Sequence, residues 1–300
     1  MTKKLIGLCL LLWVGIPLLH CAEQADLIVF SYNRPMQLYA LLESVEKRMT
    51  GIRKVGVVCR IDSDYEENYQ IVRKRFCNYH FVQQSISNPR GDFKTHVMEL
   101  LFGAFGKGAE YALFAVDDII VTEEIDIPEG IEKLKEVGAF GLYYRLGKNV
   151  DVCGISNSYQ GIPALTDAGN EYFSWNMATG NNDWEYPYTV DLTLYPKAHF
   201  ENEFRALGFT YPNDLEGGWN LSGTRARNGL CCKKSKMINI PMNIVQNFGW
   251  GNPFNNSHTA KELNDLFSKG WKIDIDDFYH IQNNACHVNY MPKFITREIL

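Results

Sequence analysis

The run Leu27-Ile28-Val29-Phe30-Ser31-Tyr32-Asn33-Arg34-Pro35 decides how the chain reads. Its unbroken apolar start suits a strand buried on both faces, as in a parallel sheet. Ser31 to Pro35 interrupt it, and Leu38, Leu41, Leu42 and Val45 then fall on one face of a helix over residues 36–48. The unit recurs down the chain. Residues 55–59 read as a second strand, ending in Arg60-Ile61-Asp62-Ser63-Asp64, and residues 65–76 as a helix. Residues 80–82 read as a third strand and 95–105 as a helix with Val97, Leu100 and Leu101 inward. Tyr111-Ala112-Leu113-Phe114-Ala115-Val116 is a fourth strand, running straight into Asp117-Asp118. Strands alternating with helices predict βαβ units, hence an α/β fold with a mostly parallel central sheet. Ligands of such sheets sit beyond the carboxyl ends of the strands. Asn33, Asp62 and Asp117-Asp118 all lie at such ends.

Beyond residue 127 the pattern loosens. Residues 139–144 and 190–195 read as strands, 197–207 as a helix and 236–240 as a last strand. Residues 159–188 are rich in Gly, Asn, Trp and Tyr and show little periodicity. No linker or repeat divides residues 26–300, so this half is expected to form the opposite wall of one cleft.

Composition agrees with an enzyme-sized core. The chain has 300 residues, 46% hydrophobic and 22% charged, which excludes a disordered or collagen-like polymer. Its formal net charge of -5 argues against a general nucleic-acid binder. Eight cysteines are too few for a disulfide scaffold, and with no C-x-x-C pair a structural zinc site is not expected.

Residues 1–25 read as a targeting segment. Lys3 and Lys4 precede an apolar run from Leu5 to Leu19, followed by His20-Cys21-Ala22. The run is shorter than the roughly 20 residues that span a bilayer, and it fits an export signal. Leu18-Leu19-His20-Cys21 resembles a lipoprotein box loosely, with His a poor fit before Cys21. A short uncleaved membrane anchor and a plain buried helix are the alternatives. The first two readings place the remainder outside the cytosol or against a membrane.

Asp117 and Asp118 carry the chemistry. Two adjacent carboxylates at a buried strand end are unfavourable unless a cation neutralises them. Mg²⁺ or Mn²⁺ does this with one or two carboxylates, completing its shell with water and phosphate oxygens. A helix cap or solvated turn is the bland reading of the same dipeptide.

The opening strand, the Tyr32-Asn33-Arg34-Pro35 turn and the Leu-rich helix together resemble the start of a GT-A glycosyltransferase of the family-2-like kind. Asp62-Ser63-Asp64, Asn88-Pro89-Arg90-Gly91 and Glu110 to Asp118 follow in the order that such enzymes show. The likeness covers residues 26–121 well and the rest loosely. It implies a three-layer nucleotide-diphospho-sugar transferase fold, with a nucleotide-binding half at about 26–125 and an acceptor half at about 126–300. It implies that Ser31, Tyr32, Asn33, Arg34, Asp62 and Asp117 contact the nucleotide-sugar donor and that Asp118 holds the divalent cation. The usual motif is Asp-x-Asp, whereas here two aspartates are adjacent, which leaves Asp118 as the one metal ligand from it.

An inverting transfer needs a carboxylate to take the acceptor hydroxyl proton. Tyr211-Pro212-Asn213-Asp214-Leu215-Glu216-Gly217-Gly218-Trp219 fits the place where the family supplies it, with Asp214 or Glu216 as base and Trp219 stacking on a sugar. The alternative is an N-terminal Asp cap with a first-turn Glu. Asp183 and Glu185, beside Trp184, are further candidates, and Trp184 is a second acceptor contact. The aromatic cluster Tyr172, Phe173, Trp175, Trp184, Tyr186 and Tyr188 reads as sugar platform or as core. Residues 248–253 lead to His258, which some family members would add to the metal shell; His287 is a weaker candidate. Asp274-Ile275-Asp276-Asp277 lacks the Gly and Glu of a calcium loop, and Asn220-Leu221-Ser222 and Asn255-Asn256-Ser257 match the glycosylation pattern. The sequence therefore predicts a metal-dependent glycosyltransferase with a carbohydrate, lipid or protein acceptor, and no nucleic-acid partner. The rival is an exported non-catalytic lipoprotein that binds carbohydrate or nucleotide on the same scaffold.

Overall fold

The computed structural model describes residues 23–222, 227–245 and 258–298. The leader reading on residues 1–22, the approach at 248–253 and the Asn255 sequon lie outside the described residues. The sheet begins at Ala25, assigned above to the leader; it is fully buried and pairs with Ile52 and Tyr111. Among the described residues no helix is long and apolar enough to cross a membrane.

In chain order the strands of the central sheet are β1 (Ala25–Tyr32), β2 (Ile52–Arg60), β3 (His80–Gln83), β4 (Tyr111–Val116), β5 (Leu142–Tyr143), β6 (Thr166–Gly169), β7 (Tyr172–Asn176), β8 (Thr193–Pro196) and β9 (Asn228–Cys232). They lie in the order β6-β7-β9-β5-β8-β4-β1-β2-β3. The four strands β3, β2, β1 and β4 are parallel throughout. β8 then enters antiparallel beside β4, and the acceptor half continues with mixed pairing.

Alternation along each strand builds the three layers. Leu27 and Val29 of β1 and Leu113 and Ala115 of β4 face one core. There they meet α1 (Pro35–Arg48), α2 (Glu66–Arg75), α4 (Ile127–Val137) and α7 (Ala260–Ser268). Ile28, Phe30, Ala112 and Phe114 face the other core, with α3 (Pro89–Phe102), α5 (Glu201–Ala206) and α6 (Pro212–Ser222). Each fully buried Leu, Ile or Val contributes about 1.5–3 kcal/mol, so slipping β1 by one residue would forfeit both interfaces together.

Prolines set where the helices begin. Pro35 and Pro89 open α1 and α3, where a missing N–H costs nothing. The helix read as 95–105 thus starts at Pro89; Gly91 and Asp92 in its first turns hide the periodicity. The strand read as 190–195 starts only at Thr193, because Leu192 has a φ of 36°. The segment read as one helix over 197–207 is a 3₁₀ turn, Lys197–His199, followed by α5.

Candidate functional site

A cleft of about 710 Å³ opens at the carboxyl ends of β1, β2 and β4. Ser31, Tyr32 and Arg34 line one wall with Asp117 and Asp118, and Arg145, Asp183, Asp191, Glu216 and His287 line the other. That size falls in the range of small-molecule sites, about 300–1,000 Å³.

The first wall is held by a network around the Tyr-Asn-Arg-Pro turn. Asn33 adopts a φ of 52°, a left-handed conformation that Asn tolerates better than most residues. Its Nδ2 donates to Asp62 Oδ2 at 2.7 Å, and Asp62 N–H donates back to Asn33 Oδ1 at 2.9 Å. The Tyr32 hydroxyl donates to the same Asp62 oxygen at 3.2 Å. Asn33 and Asp62 therefore bind each other and do not line the cleft. Tyr32 does, with Arg60 stacked over its ring at 4.3 Å. Ser31 Oγ is engaged below with the buried Tyr69 hydroxyl at 2.6 Å.

Arg34 supplies the cation that the adjacent aspartates demand. Its Nη1 donates to Asp117 Oδ1 at 3.1 Å and to Asp118 Oδ2 at 2.8 Å, while Nε donates to Asn243 Oδ1 at 2.9 Å. Nη2 donates to the Asn243 carbonyl. Every nitrogen of the guanidinium thus bonds within the protein, which anchors the cleft wall that Arg34 itself lines. Asp117 is likewise committed: its second oxygen accepts the Tyr32 backbone N–H at 3.0 Å. Burial raises the Asp117 pKa to about 6, opposed by Arg34 and reinforced by Asp118.

Among the described residues no group of three or more His, Cys, Asp or Glu is arranged to hold a metal. A single carboxylate nevertheless fits Mg²⁺ or Mn²⁺ when phosphate and water complete the shell. Asp118 meets that requirement. Its Oδ1 has no hydrogen-bond partner among the described residues, and the side chain lines the cleft. The His258 ring lies edge-on against Phe294 at 5.4 Å and does not line the cleft.

The second wall separates the two candidate bases. Asp214 Oδ2 accepts the Thr210 N–H at 2.8 Å and its hydroxyl at 3.1 Å, closing the start of α6 outside the cleft. Glu216 lines the cleft, and its Oε1 accepts the Val190 N–H at 3.0 Å. Burial and the nearby Asp191 carboxylate raise the Glu216 pKa to about 7, against hydrogen bonds from Val190 and Thr189 and the charge of Arg145. A base that titrates near neutrality is what proton abstraction needs.

Both expected acceptor tryptophans are corrected. Trp219 and Trp184 are 0% exposed, so neither offers a ring to a sugar. Trp219 packs against Phe204 at 4.7 Å and Tyr188 at 4.8 Å, and Trp184 meets Trp175 edge-on at 5.1 Å. Of that aromatic cluster, Tyr186 is the member that lines the cleft. Asp183 is bound by Arg145 Nη1 at 2.8 Å. The Asn220 amide donates to the Tyr188 and Glu216 carbonyls at 2.6 and 2.8 Å, which occupies the atom that glycosylation would need. Asp276 pairs with Lys47 and Asp277 with Lys293.

Arg60, Arg145 and Asp191 were not anticipated. Arg60 is the last residue of β2, Arg145 lies just beyond β5 and Asp191 just before β8, so strand-end position, the signal that marks Asp117, is shared by all three. Asn243 stands in a tail without periodicity and left no such trace.

No family model matches the chain. It is similar to the bifunctional glycosyltransferase pgtA of Dictyostelium discoideum, 26% identical over 220 residues covering 65% of this chain. The chain spans 28% of the length of that relative. Among solved structures it resembles Staphylococcus aureus TarS 1–349 in complex with UDP, with a TM-score of 0.48 and 15% identity over 73% of this chain and 62% of that one. It also resembles the mannosyltransferase PcManGT of Pyrobaculum calidifontis, described with GDP-Man and Mn²⁺, with a TM-score of 0.39 and 9% identity over 71% of this chain and 56% of that one. The resemblance to a glycosyltransferase is supported by the first of these, and the mixed α/β fold with its mostly parallel sheet is as expected from the sequence.

Proposed function

We propose that the chain is a metal-dependent glycosyltransferase that uses a nucleotide-sugar donor and Glu216 as its base. One observation carries the reading: the single cleft at the strand ends joins Asp118, with one oxygen uncommitted, to Glu216, whose pKa is raised to about 7. Similarity to a glycosyltransferase over 65% of this chain supports the same class.

The roles follow from position. Tyr32, Arg60 and the neighbouring Arg90 line the donor side, where two guanidinium groups suit a diphosphate. Asp118 Oδ1 would hold the divalent cation, which when bound neutralises charge on the departing diphosphate. Arg34 keeps Asp117 and Asp118 in place. Glu216, fixed by the Val190 N–H, accepts the proton of an acceptor hydroxyl as it attacks the sugar carbon. The acceptor is a carbohydrate, lipid or protein hydroxyl that reaches the Glu216 side of the cleft.

The test is turnover of UDP- and GDP-sugars by the purified chain with Mn²⁺. Release of UDP or GDP that depends on the cation and on an acceptor supports transfer. Tight binding without turnover across the panel favours the binding-protein reading instead.

A further inference from the structure

The segment that grips Glu216 also carries a second buried carboxylate. Val190 N–H donates to Glu216 Oε1 at 3.0 Å, and the next residue is Asp191. Asp191 is 8% exposed, and its own N–H is tied back to Thr189 Oγ1 at 3.1 Å. Leu192 then takes a φ of 36°, rare for a residue that is not glycine, with its N–H bonded to the Phe114 carbonyl at 2.8 Å. Such backbone strain costs on the order of 1–3 kcal/mol and persists only where surrounding contacts impose it. Here it turns the chain so that the residues on either side of Asp191 face the cleft and β4 respectively.

His287 closes on the same carboxylate from the far end of the sequence. Its Nε2 lies 3.6 Å from Asp191 Oδ2. The residue is 7% exposed, and its Nδ1 is buried without a hydrogen-bond partner. The backbone delivers it deliberately: Asn239 N–H donates to the Cys286 carbonyl and Val288 N–H to the Asn239 carbonyl, both at 2.9 Å. Gly154 makes room, since a Cβ there would stand 2.4 Å from the His287 carbonyl oxygen.

We propose that Asp191 and His287 are positioning residues for Glu216: His287 holds Asp191 ionised, and the Asp191 charge makes Glu216 the stronger base. The inference rests on the reading of Glu216 given above and adds what tunes it. Burial raises the Asp191 pKa, with His287 and Arg145 opposing and Asp118 and Asp183 reinforcing. Around Glu216 the charged and titratable neighbours that act on it most are Asp191 and Arg145, and the Tyr186 hydroxyl in turn feels the Glu216 charge. Two carboxylates held in one site cannot both ionise cheaply, so the one with the better cationic support ionises first. Arg145 acts on both carboxylates, whereas His287 stands against Asp191 and favours its anion, which leaves Glu216 to hold its proton toward neutrality.

The experiment reads ionisation directly. Carboxyl ¹³C resonances of the full chain, labelled at Asp and Glu, are titrated by NMR in the wild type, Asp191→Asn and His287→Gln. Glu216→Gln and Asp191→Asn identify the two resonances. In Asp191→Asn the Glu216 midpoint should fall by about 1 pH unit, because a repelling charge is gone. In His287→Gln the Asp191 midpoint should rise, by about half a unit or more, because a group favouring the anion is gone. A Glu216 midpoint that stays put in the first variant, or an Asp191 midpoint that stays put or falls in the second, overturns the proposal. Circular dichroism checks that each variant is folded. The measurement does not need turnover, so both shifts in a chain that transfers nothing would refute the transferase reading and leave this linkage standing.

Discussion

Arg34 Nη1 lies 2.8 Å from Asp118 Oδ2, and the same nitrogen reaches Asp117 Oδ1 at 3.1 Å. One buried guanidinium thus serves two adjacent carboxylates and offsets one of their two charges before any metal binds. Removing it would leave both charges buried. Breaking a buried pair by deleting one partner typically costs about 3–5 kcal/mol. Arg34→Met should therefore lower unfolding stability by about that much in urea at pH 7.5, while Arg34→Lys, unable to reproduce the fork to Asn243, recovers only part. A loss of nucleotide affinity with unchanged stability would instead make Arg34 a direct donor contact.

Asp118 differs from Asp117 in having one oxygen uncommitted. Asp118→Asn keeps the size of the side chain and weakens the negative ligand. Nucleotide binding measured by calorimetry with Mn²⁺ should fall by tenfold or more, since losing even an outer-shell partner of a metal ligand typically costs about 10–100-fold. Binding without the cation should change little. Equal affinities for wild type and variant in the presence of Mn²⁺ would remove Asp118 from the cation site.

Asp214 and Glu216 are two residues apart and do different work. Asp214 satisfies the Thr210 N–H at the start of α6, so Asp214→Ala should cost about 1 kcal/mol of stability, as lost helix caps do. The pH dependence of turnover should not move. An altered pH profile in Asp214→Ala would show that it shares the proton chemistry.

These contrasts mark what the sequence could and could not carry. The strands themselves and the end at Val116 were legible, because a strand buried on both faces writes itself as an apolar run; the apolar runs stop at Phe30 and Cys59, whereas the first two strands continue through polar residues to Tyr32 and Arg60. The Asp117-Asp118 pair was legible for the same reason. Which cation sits on it was not, since Arg34 is 83 and 84 positions away and only the parallel pairing of β1 with β4 joins them. Trp219 illustrates the opposite failure. A tryptophan beside Gly-Gly in an acceptor-side helix reads as an open platform, yet α6 turns that face into the aromatic core. His287 and Asn243 stand in stretches without period, where position depends wholly on tertiary contacts.

At Glu216 catalysis and stability depend on the same proton. Its pKa is raised from 4.5 to about 7, first by burial and then by Asp191. In the unfolded chain it ionises near the ordinary value, about 4.3. Between those two values the folded state keeps a proton that the unfolded state releases, so stability falls as pH rises through this window. Below it the contribution is fully present, and above about 7 it is gone. Gln cannot ionise, and its side-chain carbonyl can still accept the Val190 N–H. Glu216→Gln should therefore be more stable than the wild type at pH 8, by about 3–4 kcal/mol if the whole shift is expressed, with the advantage shrinking toward pH 5. The same variant should lose about 10²–10⁴-fold in kcat with donor affinity unchanged, as removal of a general base does. Wild-type kcat should rise with pH through about 7 as Glu216 deprotonates. A variant that keeps its activity while gaining stability at pH 8 would mean that the burial of this carboxylate serves the fold alone, and the base would have to be sought among the other carboxylates of the wall, Asp183, Glu185 and Asp191.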